Sequence, residues 1–441
     1  MNKETLKYII TDFHENKLPA TKARSIKLPL KAKGSAEAGP DINKIISLVG
    51  VRRSGKTFLF YHTIRSLIKN GVDKKNIIYI NFEDDRLFPI ELSQMNLILK
   101  AYHELYPDKV DEKKYLFFDE IQVVDNWEKY IRRIHDTENA RICITGSSSQ
   151  LLSRDISTSL RGRSISYEIT PLTFREHLNF KEVSIKKYSR KAEAQIRHEF
   201  NEYLEYGGFP EIVLADDKII KGKILREYVD LIQYKDMVER YNVQNQFLLK
   251  TLLKFCFTHP ANLISVNKLY NDFKSQGISL SKNTIYEYLE YMQESFIISL
   301  NPKYSDSIRK QQQNPKKLYI IDNSLMLPFV SCKKINIGYR LENCVFRNLY
   351  KMYENIYYYA NKYEVDFVVE DHGGLEIFNV SDNIEERDTR LREINSLKKA
   401  RERFPNAKLN LVINQYQKIE DKEINCLSVI DFLLKEDKKD I

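Results

Sequence analysis

The stretch GVRRSGKT, residues 50–57, closes the apolar run Ile45-Ile46-Ser47-Leu48-Val49. It fits the pattern G-x-x-x-x-G-K-[ST] in full, and each position of that pattern has a physical reason. Gly50 and Gly55 let the backbone turn tightly, so that the N–H groups of the Val51-Arg52-Arg53-Ser54 segment face one concavity. Lys56 can reach the β- and γ-phosphates of a nucleotide, and Thr57 offers a hydroxyl to Mg2+. The helix that opens there, with Phe58 in its first turn, adds the positive end of its dipole. Flexible backbone and positive charge at a strand end therefore read as a phosphate site spanning residues 50–58.

Such a site needs an acid for Mg2+ and one for water, and LFFDE at 116–120 supplies both after an apolar run. Asp119 would hold Mg2+ through water, and Glu120 would polarise the attacking water. In TGSSSQLLS, residues 145–153, Thr145 and Ser147 stand at a strand end and could contact the γ-phosphate or the water. Ser and Thr are also ordinary turn formers. In LRGR, residues 160–163, Arg161 or Arg163 reaching a neighbouring subunit's γ-phosphate would stabilise the charge that develops during transfer. The alternative is a surface pair bound to carboxylates. Glu83 and Asp84 could serve the same site or solvate a strand end.

Apolar runs at 45–49, 76–84, 114–122 and 140–148 alternate with helical patterns, notably 57–70 and 90–106, and a fifth run follows at 164–172. This argues for a parallel sheet with helices on its faces. Residues 1–17 have helical spacing, and 19–41 read as an irregular basic connection. The pattern is helical from 174 to 240, interrupted by GGFPEI at 207–212. Helical patterns at 246–257, 265–275 and 281–295 precede two strands joined by a basic polar loop, the outline of a winged helix. Beyond 338 come a helix at 339–353, strands near 356–360, 365–370 and 375–380, a helix at 387–403 and a strand at 408–413. The expected regions are 1–40, 41–175, 176–244, 245–330 and 338–441.

The chain has 441 residues, 42% of them hydrophobic, and a formal charge of +9, which permits a polyanionic partner without demanding one. Five scattered cysteines without a CxxC fit reduced thiols rather than a disulfide framework or zinc ribbon. No apolar leader or membrane-length run occurs, so a cytoplasmic protein without a membrane span is expected.

GVRRSGKT, NFEDDRL (81–87), LFFDEIQ (116–122), ITGSSSQLLS (144–153), LRGR and PLTFREHL (171–178) together resemble the bacterial and archaeal AAA-type ATPases with a nuclease-like C-terminal domain labelled DUF4143. The resemblance covers nearly the whole chain. It implies an α/β fold with a P-loop ATPase core, a helical lid, a winged helix and a restriction-endonuclease-like end, with ATP and Mg2+ as cofactors.

Nucleases of the PD-(D/E)xK type hold Mg2+ with two acids and position water with a lysine. Here Glu342 and Asp366 stand at acid positions, but Asn379 replaces the second strand acid and Ser381 the lysine. Glu376 is three residues early, with the opposite side-chain parity to Asn379. A degenerate domain that binds nucleic acid or a partner is expected. In the winged-helix segment Ser281 is a good N-cap, and Lys282, Asn283, Thr284, Tyr286 and Glu287 open the candidate recognition helix. Lys303, Arg309, Lys310, Lys316 and Lys317 in the following loop suit phosphates. Such segments also dock proteins. Three functions stay open: an ATP-driven motor or remodeller working as a ring or dimer, a slow ATP-dependent switch, and, disfavoured by Asn379 and Ser381, a nuclease.

Overall fold

A computed structural model describes residues 2–30, 43–147, 160, 162–186, 189–330, 336–371, 374–415, 417, 419 and 421–435. The chain divides into two compact units, Met1–Thr170 and Pro171–Ile441.

The first unit is built on a five-stranded sheet of β1 (Ile45–Val49), β2 (Ile77–Asn81), β3 (Lys114–Asp119), β4 (Ala140–Gly146) and β5 (Ser164–Glu168), in the order β2-β3-β4-β1-β5. Every pairing is parallel. Strands β1, β3 and β4 are buried at every residue, which is why their sequences are continuous apolar runs rather than alternating ones. Helices α1 (Lys3–Glu15), α2 (Lys56–Lys69), α3 (Asn96–Leu105) and α4 (Trp127–Thr137) accompany the sheet. Trp127 opens α4 as a buried core residue.

Residues 17–30 form no helix or strand, as expected of a connection, but they are not a free linker. Ile26, Leu28 and Leu30 pack against the cluster of Ile46, Leu48, Phe60 and Phe117. Their spacing of two puts all three on one side of an extended segment. Arg24 donates to the carbonyls of Ser54 and Thr170, both at 2.9 Å, and so fastens this segment to the GVRRSGKT turn.

The second unit opens with helices α5 (Phe174–Phe180), α6 (Arg190–Tyr206), α7 (Pro210–Leu214) and α8 (Lys218–Leu231). The last runs into a π-helical stretch, Ile232–Glu239. The glycines of GGFPEI are required sterically. Gly207 has φ 69°, and a Cβ there would fall 1.6 Å from Asp322 Oδ1, whose partner oxygen accepts the Gly208 N–H at 2.7 Å.

Three helices follow, α9 (Gln246–Thr258), α10 (Val266–Ser275) and α11 (Lys282–Glu294), with a three-stranded antiparallel sheet of β6 (Leu263–Ile264), β7 (Ile298–Asn301) and β8 (Lys316–Ile320) in the order β6-β8-β7. The expected basic loop between β7 and β8 contains a short helix, α12 (Ile308–Gln313). After α13 (Ile337–Met352), the strands β9 (Asn355–Ala360), β10 (Glu364–Asp371), β11 (Gly374–Ser381), β12 (Lys408–Ile413) and β13 (Ile424–Ser428) form a second five-stranded sheet in sequence order. It is antiparallel from β9 to β11 and parallel from β11 to β13. Helix α14 (Arg387–Arg403) connects β11 to β12, and α15 (Val429–Leu433) ends the described fold.

Side chains alternate across this sheet. Phe378 and Val412 join a core shared with Phe174, Phe200, Tyr319 and Phe346, while Ile377 and Leu411 join another with Leu397 and Ala400 of α14. A register shift between Val365 and Val368 breaks the alternation in β10, and Asp366 sits in that bulge.

Candidate functional site

The phosphate-binding motif lies between β1 and α2. Gly50 has φ 140°, and a Cβ there would come within 2.2 Å of the Ile169 carbonyl, so only glycine lets β1 turn beside that neighbour. Gly55, at φ 98°, sets the first turn of α2. Arg53 between them is also left-handed, φ 64°. Lys56 is 4% exposed, and its ammonium donates to the carbonyls of Gly50 (2.9 Å) and Val51 (3.1 Å). The buried Ser54 Oγ has no hydrogen-bond partner among the described residues. Arg52 pairs with Glu83 at 3.0 Å. Asp84 caps the following turn by accepting the Arg86 N–H and binds the Arg86 guanidinium. Phe58 is exposed, its ring edge-on to Tyr61.

Asp119 ends β3 and is the hub of the site. Its Oδ2 accepts from Thr57 Oγ1 at 2.7 Å and from Tyr79 OH at 3.0 Å, and its Oδ1 accepts from Thr145 Oγ1. Burial, then the charge of Glu120, pushes the Asp119 carboxyl above the usual range, and the three hydroxyls oppose that shift. Glu120 is left-handed at φ 52°, and Thr145 Oγ1 accepts its N–H at 2.9 Å, which fixes the turn that presents its carboxylate. Gln122 Nε2 donates to Glu120 Oε2 at 2.6 Å.

The structure thus brings together Thr57 at the start of α2, Asp119 and Glu120 at the end of β3, and Thr145 near the end of β4, with Lys56 beside Thr57. Thr145 and Ser147 are both buried, and the Thr145 hydroxyl is turned onto Asp119 and Glu120 rather than outward. Arg161 lies outside the described residues. Arg163 precedes β5 at the end of the sheet opposite the phosphate loop, where it forms a two-point ion pair with Asp136. Five residues of β1 separate the two ends, roughly 16 Å at 3.3 Å per residue. Arg163 therefore does not serve its own subunit's loop from this position. Tyr79 and Arg24 were not singled out from sequence. Tyr79 left a signal, a hydroxyl-tipped ring inside the apolar run of β2.

In the second unit, α11 exposes Lys282, Asn283 and Tyr286 beside Glu287 and Glu290, and Thr284 is half-buried. Lys282 lies over the Tyr270 ring. Arg309 and Lys310 are exposed on α12. Lys317, expected to face phosphates, is a correction. It is 4% exposed and its ammonium reaches Glu342 Oε1 (2.8 Å) and Asp366 Oδ1 (2.9 Å). Lys317 shares one face of β8 with Tyr319, and both reach Glu342; both faces of β8 are buried beyond Lys316, which is half-buried at the strand's start. Asn379 is buried and donates to Glu393 Oε2 of α14 at 2.7 Å, while Ser381 donates to the Asn383 carbonyl. Glu376 is half-buried, 3.8 Å from Lys408.

Among the described residues no helix is long and apolar enough to cross a membrane, and Cys143, Cys256, Cys344 and Cys426 are free thiols.

Two family models match the chain. One describes an AAA domain and covers residues 42–178. The other is a domain of unknown function, DUF8612, over residues 197–333, a different label from the DUF4143 of the sequence resemblance. An uncharacterized protein of Methanocaldococcus jannaschii is 42% identical over 333 residues, 74% of this chain and 72% of its own length. One of Haemophilus influenzae is 30% identical over 402 residues, 89% of this chain and 94% of its own length. Among solved structures, the Aeropyrum pernix ORC1 protein in complex with DNA aligns with 64% of this chain and 85% of its own at 12% identity, with a TM-score of 0.31, too loose a superposition to argue from.

Proposed function

The chain belongs to the same family as the Methanocaldococcus jannaschii and Haemophilus influenzae proteins and carries an AAA-type domain, and on that premise we propose that it binds ATP with Mg2+ and hydrolyses it. The observation that carries this reading is the convergence of Lys56, Thr57, Asp119 and Glu120 round one strand edge, with Asp119 held by three hydroxyls. The groups fit the ligands. The Lys56 ammonium rests on the Gly50 and Val51 carbonyls, and the Ser54 hydroxyl lies in the loop. Thr57 and Asp119 offer oxygens, the donors a hard cation takes.

Bound Mg2+ would neutralise charge on the β- and γ-phosphates. Lys56 exchanges its carbonyls for phosphate oxygens, and the N–H groups of residues 50–58 line the loop. Thr57 and Asp119 would hold the metal, and Thr145 fixes Asp119 and the Glu120 backbone together. Glu120 orients the attacking water and accepts its proton. Lys56→Ala removes the cation that spans the phosphates. Titration with a fluorescent ATP analogue in Mg2+ tests this: binding should be lost, and micromolar affinity in the variant would refute the assignment.

One observation favours a slow switch over a motor. The Gln122 amide donates to Glu120 Oε2 and competes there with the attacking water, which favours slow turnover. The finer expectations extend this reading. Arg163, remote from its own loop, would act on a neighbouring copy after leaving Asp136, which makes a homo-oligomer the active form. Lys282, Asn283, Thr284, Arg309 and Lys310 would contact nucleic acid, although Glu287 and Glu290 on the same helix weaken the field there.

A further inference from the structure

Glu342 and Asp366 stand where a nuclease of this type would hold its metal ion, yet three of their four oxygens already have partners. Asp366 Oδ1 accepts from Lys317 Nζ at 2.9 Å, and Oδ2 accepts the Val380 N–H at 2.9 Å. Glu342 Oε1 is shared by Lys317 Nζ at 2.8 Å and Tyr319 OH at 2.6 Å. Glu364 reaches the same ammonium at 3.7 Å. Next to them, Asn379 and Arg392 bind the two oxygens of Glu393. Among the described residues no group of three His, Cys, Asp or Glu side chains is placed to hold a metal ion. The residues therefore do not fit the divalent cation that a nuclease-like fold implies.

We propose that the Lys317 ammonium is the resident cation of this acid pair, a covalently supplied substitute for a metal ion, and that the C-terminal sheet carries a sealed site. The charge balance supports it. A buried carboxylate, Glu342, beside a half-buried one, Asp366, is costly without a partner, and one ammonium between them removes most of that cost. Burial works against the charged lysine, but the charges of Asp366 and Glu342 outweigh it and hold its pKa above the ordinary lysine range. Position supports it as well. Lys317 belongs to β8, a strand of the three-stranded sheet, whereas Asp366 belongs to β10. Beside it, Asn343 of α13 exchanges both hydrogen bonds with the Ile320 backbone, so the α13 face is fastened to the end of β8 on the same side. A metal ion would hold the acids alone, whereas this cation also ties the acid pair to the strand that carries it.

The test is Mn2+ binding to the full chain without nucleotide, read from the loss of the free Mn2+ electron paramagnetic resonance signal. This keeps it separate from the phosphate loop, whose metal enters with ATP, and failure of one reading leaves the other standing. The wild type should bind no Mn2+ that Asp366→Asn abolishes. Lys317→Met, or the milder Lys317→Gln, should gain a site at least about tenfold tighter than the wild type, and the gain should vanish on adding Asp366→Asn. A wild-type Mn2+ site lost in Asp366→Asn overturns the proposal, and this arm holds even if the lysine variants fail to fold. Folded Lys317→Met and Lys317→Gln proteins that bind no Mn2+ overturn it too.

Discussion

One carboxylate, Asp119, receives hydroxyls from three different elements: Thr57 from α2, Tyr79 from β2 and Thr145 from β4. A buried charge needs such partners, and each donor also fixes the carboxylate's rotamer for a metal. Tyr79→Phe removes one donor and leaves the ring packing in place. The lost hydrogen bond is worth about 0.5–1.5 kcal/mol, so the Mg2+ concentration for half-maximal ATPase should rise roughly two- to tenfold with ATP affinity in EDTA unchanged. An unchanged Mg2+ requirement would make Tyr79 a packing residue. Lys56, Thr57, Asp119 and Glu120 were legible in the sequence because their spacing along the chain is itself the signal. Tyr79 and the inward turn of Thr145 were not, because they meet Asp119 only across strands whose neighbours are set by sheet order.

At the scale of elements, the strands of both sheets were legible from apolar runs, within a few residues at their ends, except β13, where Ile424, Asn425 and Cys426 gave no continuous apolar run. Basic composition concealed the burial of two stretches. In residues 26–30, Ile26, Leu28 and Leu30 alternate with Lys27 and Pro29, and these three apolar side chains pack on the core although the segment is irregular, as expected of a connection. Lys316 and Lys317 looked alike, yet β8 is buried on both faces beyond Lys316, and Lys317 meets Glu342 and Asp366. The remaining basic groups on α11 and α12 are still exposed, and their proposed contact with nucleic acid has a specific signature. Three phosphate contacts from Lys282, Arg309 and Lys310 give a slope of about −3 for log affinity against log salt concentration. The triple alanine variant should flatten that slope and weaken duplex binding at low salt. An unchanged slope would place any nucleic-acid contact elsewhere.

At the scale of the molecule, one hydrophobic cluster draws on segments expected as separate regions: Phe174 and Phe200, Tyr319, and Phe346 with Phe378. Sequence periodicity shows which face of an element is apolar but not which partner covers it, so this shared core was not legible. Arg163 bears on the assembly. Because it stands at the far end of β1 from its own loop, hydrolysis should need a second copy, and ATPase per subunit should rise with protein concentration over a dilution series. Mixing Arg163→Ala with Lys56→Ala subunits should restore part of the activity, whereas constant activity in a proven monomer would exclude a donated arginine. All of this rests on Mg2+-dependent hydrolysis at the Lys56–Asp119–Glu120 site. The most direct measurement is steady-state ATP turnover by the wild type beside Glu120→Gln, with ATP binding measured on the same samples. Glu120→Gln should keep ATP bound while turnover falls on the order of 10²–10³-fold, the loss of one charge-handling group. Turnover in Glu120→Gln equal to that of the wild type, or none in the wild type at any protein concentration, would contradict it.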